Sequence, residues 1–502
     1  MENTAKNQNV YEKPVTLKNI LKFAVPTIAM TVFMSFYTMV DGLFVSNLIG
    51  TNALSAINLT APIIQLVTAI STMLATGGSA VIMKKMGQQK SKEAKEDFTF
   101  LILVNILVGM IMSVLGFLLM DSIFAGMHLS MEVEGYCVEY LSRYLLFTIP
   151  ILLMNNFTLY MIASEKATLS LICSVAGGVL NMVLDYVFIA LLDMGISGAA
   201  IATGLGYSVT AVVGFIVFSQ KKSLLHFKKP VFRFRVLIHA ATNGCSEMAT
   251  ALVTGIITMM FNWTMLRYVG EDGVAAVTII MYVLMFVSSL YTGYSYGVAP
   301  MISYYYGEQN IHETPLEKTR ISKGQKSRKN IRKGDFSNNQ FNNTVQNKSQ
   351  HYQENRAAHS ELSDSQSKLK KLVAISLKVI AAISVLTVAV SFILTKPLVS
   401  VFARPENPVY DLAVTGNRIC TIALFFIGFN IFASGMFTAL SNGLVSAVLA
   451  FSRSFVFMLI TMLVLPALLG VNGIWLATPV AELMALALSV AIFIRYRNRY
   501  QY

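Results

Sequence analysis

Long apolar stretches, each of about 20 residues or more, follow one another along almost the whole of this 502-residue chain. Hydrophobic residues make up 55% of the sequence and charged residues only 13%, and the mean hydropathy is +0.60. No single soluble core could bury that much apolar surface, so we predict an all-α membrane protein. The predicted spans lie near residues 17–47, 53–83, 98–120, 135–161, 169–192, 196–219, 237–266, 273–303, 372–395, 409–439, 445–468 and 473–494.

The second half of the chain repeats a pattern found in the first half. At a separation of 220 residues, turn glycines and other residues between Gly50 and Gln89 match those between Gly270 and Gln309. At a separation of 275 residues, the stretch from Arg143 to Thr203 matches the stretch from Arg418 to Thr478. The matches include glycines and two arginines, which argues against chance likeness between apolar helices. We therefore predict twelve transmembrane helices in two pseudo-symmetric six-helix bundles, as in transporters with internal repeats.

The change of separation from 220 to 275 shows that the second half contains a net insertion of 55 residues. Its polar composition places it at 312–371, where we expect a disordered basic cytoplasmic loop. This loop is either a tolerated surface insertion or a functional segment, namely a tether to anionic lipid or a regulatory segment. The predicted division is a cytoplasmic N-terminal segment (1–16), an N-lobe with spans 1 to 6 (17–220), a basic cytoplasmic linker (221–236), the first part of the C-lobe with spans 7 and 8 (237–311), the insertion (312–371), the rest of the C-lobe with spans 9 to 12 (372–494) and a basic C-terminal tail (495–502).

The formal net charge of +13 is concentrated at one end of the predicted spans. Lysines and arginines follow spans 2, 6 and 12, at 84–95, 221–235 and 495–499, whereas the opposite loops are acidic or neutral. By the positive-inside rule both termini are cytoplasmic. The basic charge therefore indicates topology and contact with anionic membrane lipids rather than a nucleic-acid partner.

Ionisable residues within predicted spans are costly and are functional candidates by default. In the first half these are Asp41 and Asp185, and Asn181 lies on the same helical face as Asp185 because the two are four residues apart. Thr203 adds a hydroxyl at a similar depth. Such oxygen ligands suit Na⁺, whereas burial and mutual repulsion of two carboxylates favour protonation of one and would make a proton carrier. A polar pair that only fixes helix packing is the third interpretation.

The second half carries Glu247, Arg453 and Glu482 in its predicted spans. Glu247 lies near the cytoplasmic start of span 7, where it is either a second cation site or part of a water-filled vestibule. Arg453 and Glu482 lie at comparable depths on spans 11 and 12. We predict that they form an ion pair with a structural role.

Span 8 contains Met281, Met285 and Tyr291, whose thioether and aromatic groups suit flat organic cations. Such side chains also commonly face lipid or lie in interfacial belts. The sequence contains no phosphate-binding loop, no metal-spaced histidine or cysteine cluster and no nucleophile motif, so we expect neither an enzyme nor ATP-driven transport. An ion gradient is then the expected energy source, with no cofactor.

Two six-span repeats, Asp41 in span 1, the pair Asn181-x-x-x-Asp185 in span 5 and Thr203 near the start of span 6 together resemble the multidrug and toxic compound extrusion (MATE) family. Thr203 is the last residue of the motif Gly195-x-x-Gly198-x-x-x-Ala202-Thr203, which opens span 6. The likeness is greatest to the bacterial branch whose cation site lies in the amino-terminal lobe, and it covers nearly the whole chain outside the insertion.

The resemblance implies that Asp41, Asn181, Asp185 and Thr203 form the coupling site, holding Na⁺ if the transporter is sodium-coupled. It also implies a V of two bundles that opens alternately to each side, in the inner membrane of a bacterium. The chain departs from the family in two places. A helix 7 glutamate couples transport in another branch but lies deeper than Glu247, and the long loop after span 8 is not typical.

We therefore expect a monomeric exporter of small organic cations in exchange for H⁺ or Na⁺. A lipid-linked oligosaccharide flippase of the same architecture is an alternative, which would need a cationic cavity and could use Arg143, Arg418 and Arg453. A membrane receptor or regulator that transports nothing, with the basic loop as its output, is a further alternative.

Overall fold

The computed structural model describes the backbone of residues 10–49, 51–127, 129–326 and 338–502. Side chains at 10, 41–48, 51–52, 54–55, 312–326 and 338–362 lie outside the described set. All regular structure over the described residues is helical. The helices are α1 (Leu17–Leu48), α2 (Thr51–Gly87), α3 (Ser91–Ala125), α4 (Met131–Leu146), α5 (Thr148–Ala163), α6 (Ala167–Asp185), α7 (Gly195–Ser219), α8 (Phe234–Tyr268), α9 (Glu271–Lys326), α10 (Asn338–Ile393), α11 (Thr395–Ser400), α12 (Pro408–Cys420), α13 (Leu424–Ala439), α14 (Gly443–Phe451), α15 (Met458–Leu469) and α16 (Val471–Tyr500).

The predicted all-helical membrane fold with up to twelve spans is confirmed. Eleven helical segments in the described part of the chain are long and apolar enough to cross a bilayer. Helices α4 and α5 meet at a bend of 54° and make the twelfth when they are taken as one span. We use N-lobe for α1 to α7 and C-lobe for α8 to α16.

Two spans contain a π-helical segment next to a charged side chain. One runs from Tyr186 to Leu191, directly after Asp185, and the other from Ser452 to Phe457 and includes Arg453. Such segments widen the helix locally and are frequent at functional sites, because they redirect side chains relative to a regular α-helix. Both of these spans therefore change geometry where they carry charge.

The structure differs from the sequence-based prediction in the insertion. Its backbone is helical at 312–326 and 338–371, where the sequence predicts disorder. The end of the insertion also packs against the bundle, since Ser365 and Leu369 are fully buried and Lys368 pairs with Asp364 at 2.8 Å and Glu308 at 3.6 Å. Leu369 lies three residues before the buried Leu372, on the same helical face, so the packed helix begins before the predicted boundary at 371/372.

The N-terminal segment fastens the two lobes to each other. Tyr11 is 1% exposed and donates a hydrogen bond from its hydroxyl to the carbonyl of Ala163 in the N-lobe, at 2.6 Å. Its ring stacks on Tyr304 of the C-lobe with the ring centroids 4.9 Å apart. Burial, with the nearby charge of Glu165, raises the pKa of Tyr11, so the phenol stays protonated and continues to donate.

The lobes meet along α2, which packs against α8 and α9 of the C-lobe. A Cβ atom on Gly77 would lie 1.9 Å from the carbonyl oxygen of Ala240 and 2.7 Å from the amide nitrogen of Gly244. Nearer the start of α2, Gln65 Nε2 donates a hydrogen bond to the carbonyl of Ala251 at 3.1 Å. Direct backbone contact between α2 and α8 therefore closes this side of the bundle, and only glycine at position 77 permits it.

We predict that Gly77→Ala lowers the apparent Tm of the purified protein, because the added methyl group forces α2 and α8 apart at a cost of about 1–3 kcal/mol. Gly255→Ala is the matched control, since nothing lies within 4 Å of a Cβ atom at that position of α8. Thermal melting in detergent measures both. Equal apparent Tm values for the two variants would contradict the close packing.

Candidate ion-coupling site in the N-lobe

Glycines bring α6 and α7 together at the predicted site. A Cβ atom on Gly177 would lie 2.5 Å from the carbonyl oxygen of Gly206, so the two helices approach at backbone distance. Asn181 follows Gly177 by one helical turn and faces α7. Its Nδ2 atom donates a hydrogen bond to Thr203 Oγ1 at 3.3 Å. Two of the predicted site residues, on different helices, are therefore in direct contact.

The polar groups at this contact are removed from solvent. Asn181 is 1% exposed, Asp185 is 0% exposed and Thr203 is 6% exposed. Asp185 lies one turn beyond Asn181 on the same face of α6. The Oδ1 atom of Asn181 has no hydrogen-bond partner among the described residues. Because unsatisfied buried polar atoms are costly and rare, this oxygen is a candidate ligand for a small cation.

Helix α1 supplies the remaining wall of the site. It packs against α6, and its residues Met34 and Tyr37 line a small cavity of about 10 Å³ together with Gly177 and Gly206. Asp41 follows Tyr37 by one turn of α1, and its side chain lies outside the described residues. The structure therefore brings together Asn181, Asp185 and Thr203, whereas the contribution of Asp41 stays a prediction.

The side chains of this site offer an amide oxygen, a hydroxyl and a carboxyl group from two helices, α6 and α7. Oxygen ligands of this kind suit hard cations such as Na⁺. A buried carboxyl group next to a hydroxyl and an amide is equally able to hold a proton. Exchange of one small cation, H⁺ or Na⁺, at this position stays a prediction.

In the C-lobe, protein side chains bind the carboxylate of Glu482. Arg453 Nε lies 2.8 Å from Glu482 Oε1, and Glu482 is 5% exposed. The other carboxylate oxygen of Glu482 accepts from Asn430 Nδ2 at 2.8 Å, and Ser489 donates to Asn430 Oδ1 at 3.0 Å. Both carboxylate oxygens of Glu482 are thus occupied by protein donors. Sequence reasoning missed Asn430, although an asparagine inside an apolar span and repeated at Asn155 was an available signal.

Glu247 lies at the interface of the two lobes rather than within one of them. It lines a cavity of about 30 Å³ with Thr76 and Ser79 of α2 and Ser295 and Tyr296 of α9. Polar side chains from both lobes therefore surround this carboxyl group. The cavity is near the size of a single water molecule, and whether Glu247 holds a cation or faces water stays a prediction.

The three predicted substrate-contacting residues of span 8 do not share one surface. Tyr291 is 1% exposed, and its hydroxyl donates to the carbonyl of Leu424 at 2.9 Å and lies 2.7 Å from Thr387 Oγ1. Met285 is 37% exposed, and Met281 packs against the C-lobe core. Tyr291 follows Met285 by six residues, which turns it by roughly 240° around the helix, so it packs into the C-lobe instead. Its predicted role in substrate binding stays a prediction, and in this structure its hydroxyl bonds within the C-lobe.

A comparison with known protein families finds a matching family model. The MatE family model matches residues 26–187 and 248–315, which include Asp41, Asn181 and Asp185. The predicted resemblance to MATE transporters is confirmed. Its finer part, the branch with a cation site in the amino-terminal lobe, stays a prediction.

Two bacterial proteins illustrate the sequence similarity to MATE transporters. The chain is 24% identical over 298 residues to the multidrug export protein MepA of Staphylococcus haemolyticus, and 23% identical over 300 residues to MepA of Staphylococcus aureus. Each match covers 59% of this chain and 65% of the relative. The chain therefore covers slightly less than two thirds of the length of these relatives.

Solved structures show the MATE fold over nearly the full length. A crystal structure of a MATE protein in complex with MaL6 superimposes with a TM-score of 0.79 at 20% identity, covering 98% of this chain and 97% of that one. A transporter of the MOP superfamily from Pyrococcus furiosus gives 0.80 at 19% identity with the same coverage. The structural similarity shows the fold, a multi-pass helical membrane fold, and not the transported compound.

An additional ionic cluster ties the lobes together at the end where α2 ends and α8 begins, which we call the basic end. Asp97 of α3 is 0% exposed and pairs with both Lys85 of α2 and Arg233, at 2.9 Å for the arginine. Arg233 also pairs with Glu96 at 2.8 Å. Sequence reasoning assigned these basic residues to topology alone and did not consider Glu96 and Asp97, which lie just before the next predicted span (98–120).

We predict that Arg453→Glu and Glu482→Arg each reduce the amount of folded protein in the membrane and the apparent Tm, because a lone buried charge costs about 3–5 kcal/mol. The combined exchange restores opposite charges and should recover most of the loss, although Asn430 must reorient. Arg404→Glu, at an exposed position, is the control for the change of charge. A double variant no more stable than either single variant would contradict a structural ion pair.

Proposed function

We propose that this chain is a secondary active exporter of small organic cations that works in antiport with H⁺ or Na⁺. The observation that carries the proposal is the fully buried Asp185 beside the hydrogen-bonded pair of Asn181 and Thr203 in the N-lobe. The C-lobe neutralises its own buried acid, Glu482, with Arg453. In the proposed mechanism, Asp185 is the acid that takes up and releases the coupling ion.

The two bacterial relatives agree with this activity, since both are named multidrug export proteins. In the proposed cycle, the coupling ion loads onto Asp185, Asn181 Oδ1 and Thr203 Oγ1 with Asp41 as the fourth group. Ion loading then disfavours the organic cation, because both need the same negative charge. One charge moving inward across 100 mV supplies about 2.3 kcal/mol, equivalent to roughly a fiftyfold concentration ratio.

The exchange requires the lobes to open on each side in turn. The interlobe contacts of Gly77 and Tyr11 hold the basic end closed in the present structure. Helix α1 contacts α6 at the ion site and α9 of the C-lobe along its length. A change in charge at the site therefore has a direct mechanical route to the lobe interface through α1, which also contains Pro26 and so has a point of weakened hydrogen bonding.

The test is flux of a fluorescent organic cation in proteoliposomes, with a pH gradient and a Na⁺ gradient imposed separately. We expect one of the two gradients to drive transport by the wild-type protein. Asp185→Asn should reduce the driven rate at least tenfold, because the amide removes the charge that couples the ion to the substrate. Thr203→Ala should raise the ion concentration needed for half-maximal transport.

Asp193→Asn is the matched control, because it makes the same chemical change in the loop after α6 at an exposed position. It should transport at the wild-type rate. Transport by Asp185→Asn at the wild-type rate under either gradient, with equal protein in the vesicles, would refute the coupling role.

A further inference from the structure

A large cavity lies at the basic end, between the two lobes, and the proposed transport cycle does not use it. Its volume is about 690 Å³, within the range of small-molecule sites. Helix α2 forms one wall, and the start of α8 with the turn between α13 and α14 forms the other. No acidic side chain lines it among the described residues. The basic side chains that line it are Lys84, Lys85, Arg233, Arg235 and His239.

Two of the four lysine and arginine side chains of the lining lack an acidic partner in the described part of the chain. Lys85 and Arg233 are held by the carboxylates of Glu96 and Asp97, as described above. Arg235 is exposed and has no such partner. Lys84 has none either, and its ammonium group lies 4.7 Å from the centre of the Tyr306 ring. One unpaired cation therefore faces the cavity from α2 of the N-lobe and the other from α8 of the C-lobe.

Neutral donors complete the lining. Gln88 contributes an amide, and Ser441 contributes a hydroxyl that has no hydrogen-bond partner among the described residues. Ser441 also has a positive φ of 57°, an unfavourable conformation for a residue other than glycine. Cationic and hydroxyl donors around one space are the groups that bind phosphate oxygens.

The surroundings of the cavity suit a ligand that comes from the membrane surface. Phe232 and Phe234 are 79% and 69% exposed, and they alternate with Arg233 and Arg235 along the chain. Exposed aromatic rings beside arginines are typical of segments that lie at the headgroup level of a bilayer. Basic pockets between helices at the cytoplasmic side bind anionic headgroups.

We propose that this cavity binds the phosphate group of an anionic phospholipid, with Lys84 and Arg235 contacting the phosphate from opposite lobes. The bound phosphate bridges the N-lobe and the C-lobe across the same interface that Gly77 closes. Anionic lipid then stabilises the arrangement with a closed basic end. Free inorganic phosphate shares the recognition chemistry but lacks the acyl chains that would hold it at the surface.

Binding is tested by native mass spectrometry of the full-length protein in detergent, titrated with phosphatidylglycerol, phosphatidylcholine or inorganic phosphate. We expect tight binding of phosphatidylglycerol, weaker binding of phosphatidylcholine and an increase in apparent Tm with phosphatidylglycerol. The double variant Lys84→Gln/Arg235→Gln should bind phosphatidylglycerol roughly thirtyfold more weakly, because each cation near the lipid surface contributes about a fivefold change in affinity.

Lys221→Gln/Lys222→Gln is the matched control, since it removes the same charge from exposed positions of the same linker, outside the cavity. It should bind as the wild-type protein does. The exchange Lys84→Arg/Arg235→Lys keeps the charge and should retain binding, which separates loss of the site from loss of folding. Inorganic phosphate binding as tightly as the lipid would identify a soluble phosphate as the ligand. Equal phosphatidylglycerol binding by the cavity variant and the control, or no preference over phosphatidylcholine, would overturn the proposal.

Discussion

The burial of the Asp185 carboxyl group inside the N-lobe is the constraint on which the proposed mechanism depends. A carboxylate without solvent is costly unless charge or hydrogen bonds compensate it, so the local structure has to respond to its ionisation state. Asn181 and Thr203 lie within reach because glycines let α6 and α7 approach at backbone distance. In the proposed mechanism, gain or loss of a cation here alters the packing of α6 against its neighbours.

The two lobes solve the problem of a buried acid differently. Glu482 of the C-lobe has both oxygens bound, by Arg453 and by Asn430, so it needs no external cation. Asp185 of the N-lobe lies one helical turn from Asn181, which bonds Thr203. In the proposed mechanism, one half of the duplicated scaffold holds an acid compensated by protein side chains and the other half holds an acid that exchanges a cation, which gives a physical reason for coupling through the N-lobe.

The sequence predicts the span number and the meeting of Asn181, Asp185 and Thr203 because both follow from short-range rules. Apolar length determines spans, and a spacing of four determines a helical face. The contact of Tyr11 with Tyr304 and the burial of Asp97 could not be predicted from the sequence, because both depend on packing between distant segments of the chain. The burial of Tyr291 is a further example, since composition does not show which face of α9 packs against α10 and α13.

The most direct test of the central claim measures the ion itself. Purified protein in weakly buffered detergent solution is mixed with an organic cation, and released H⁺ and Na⁺ are recorded with ion-selective electrodes. The account predicts release of one of these ions by the wild-type protein on substrate binding, and none by Asp185→Asn. Undiminished release by that variant would contradict the assignment of the coupling site to the N-lobe.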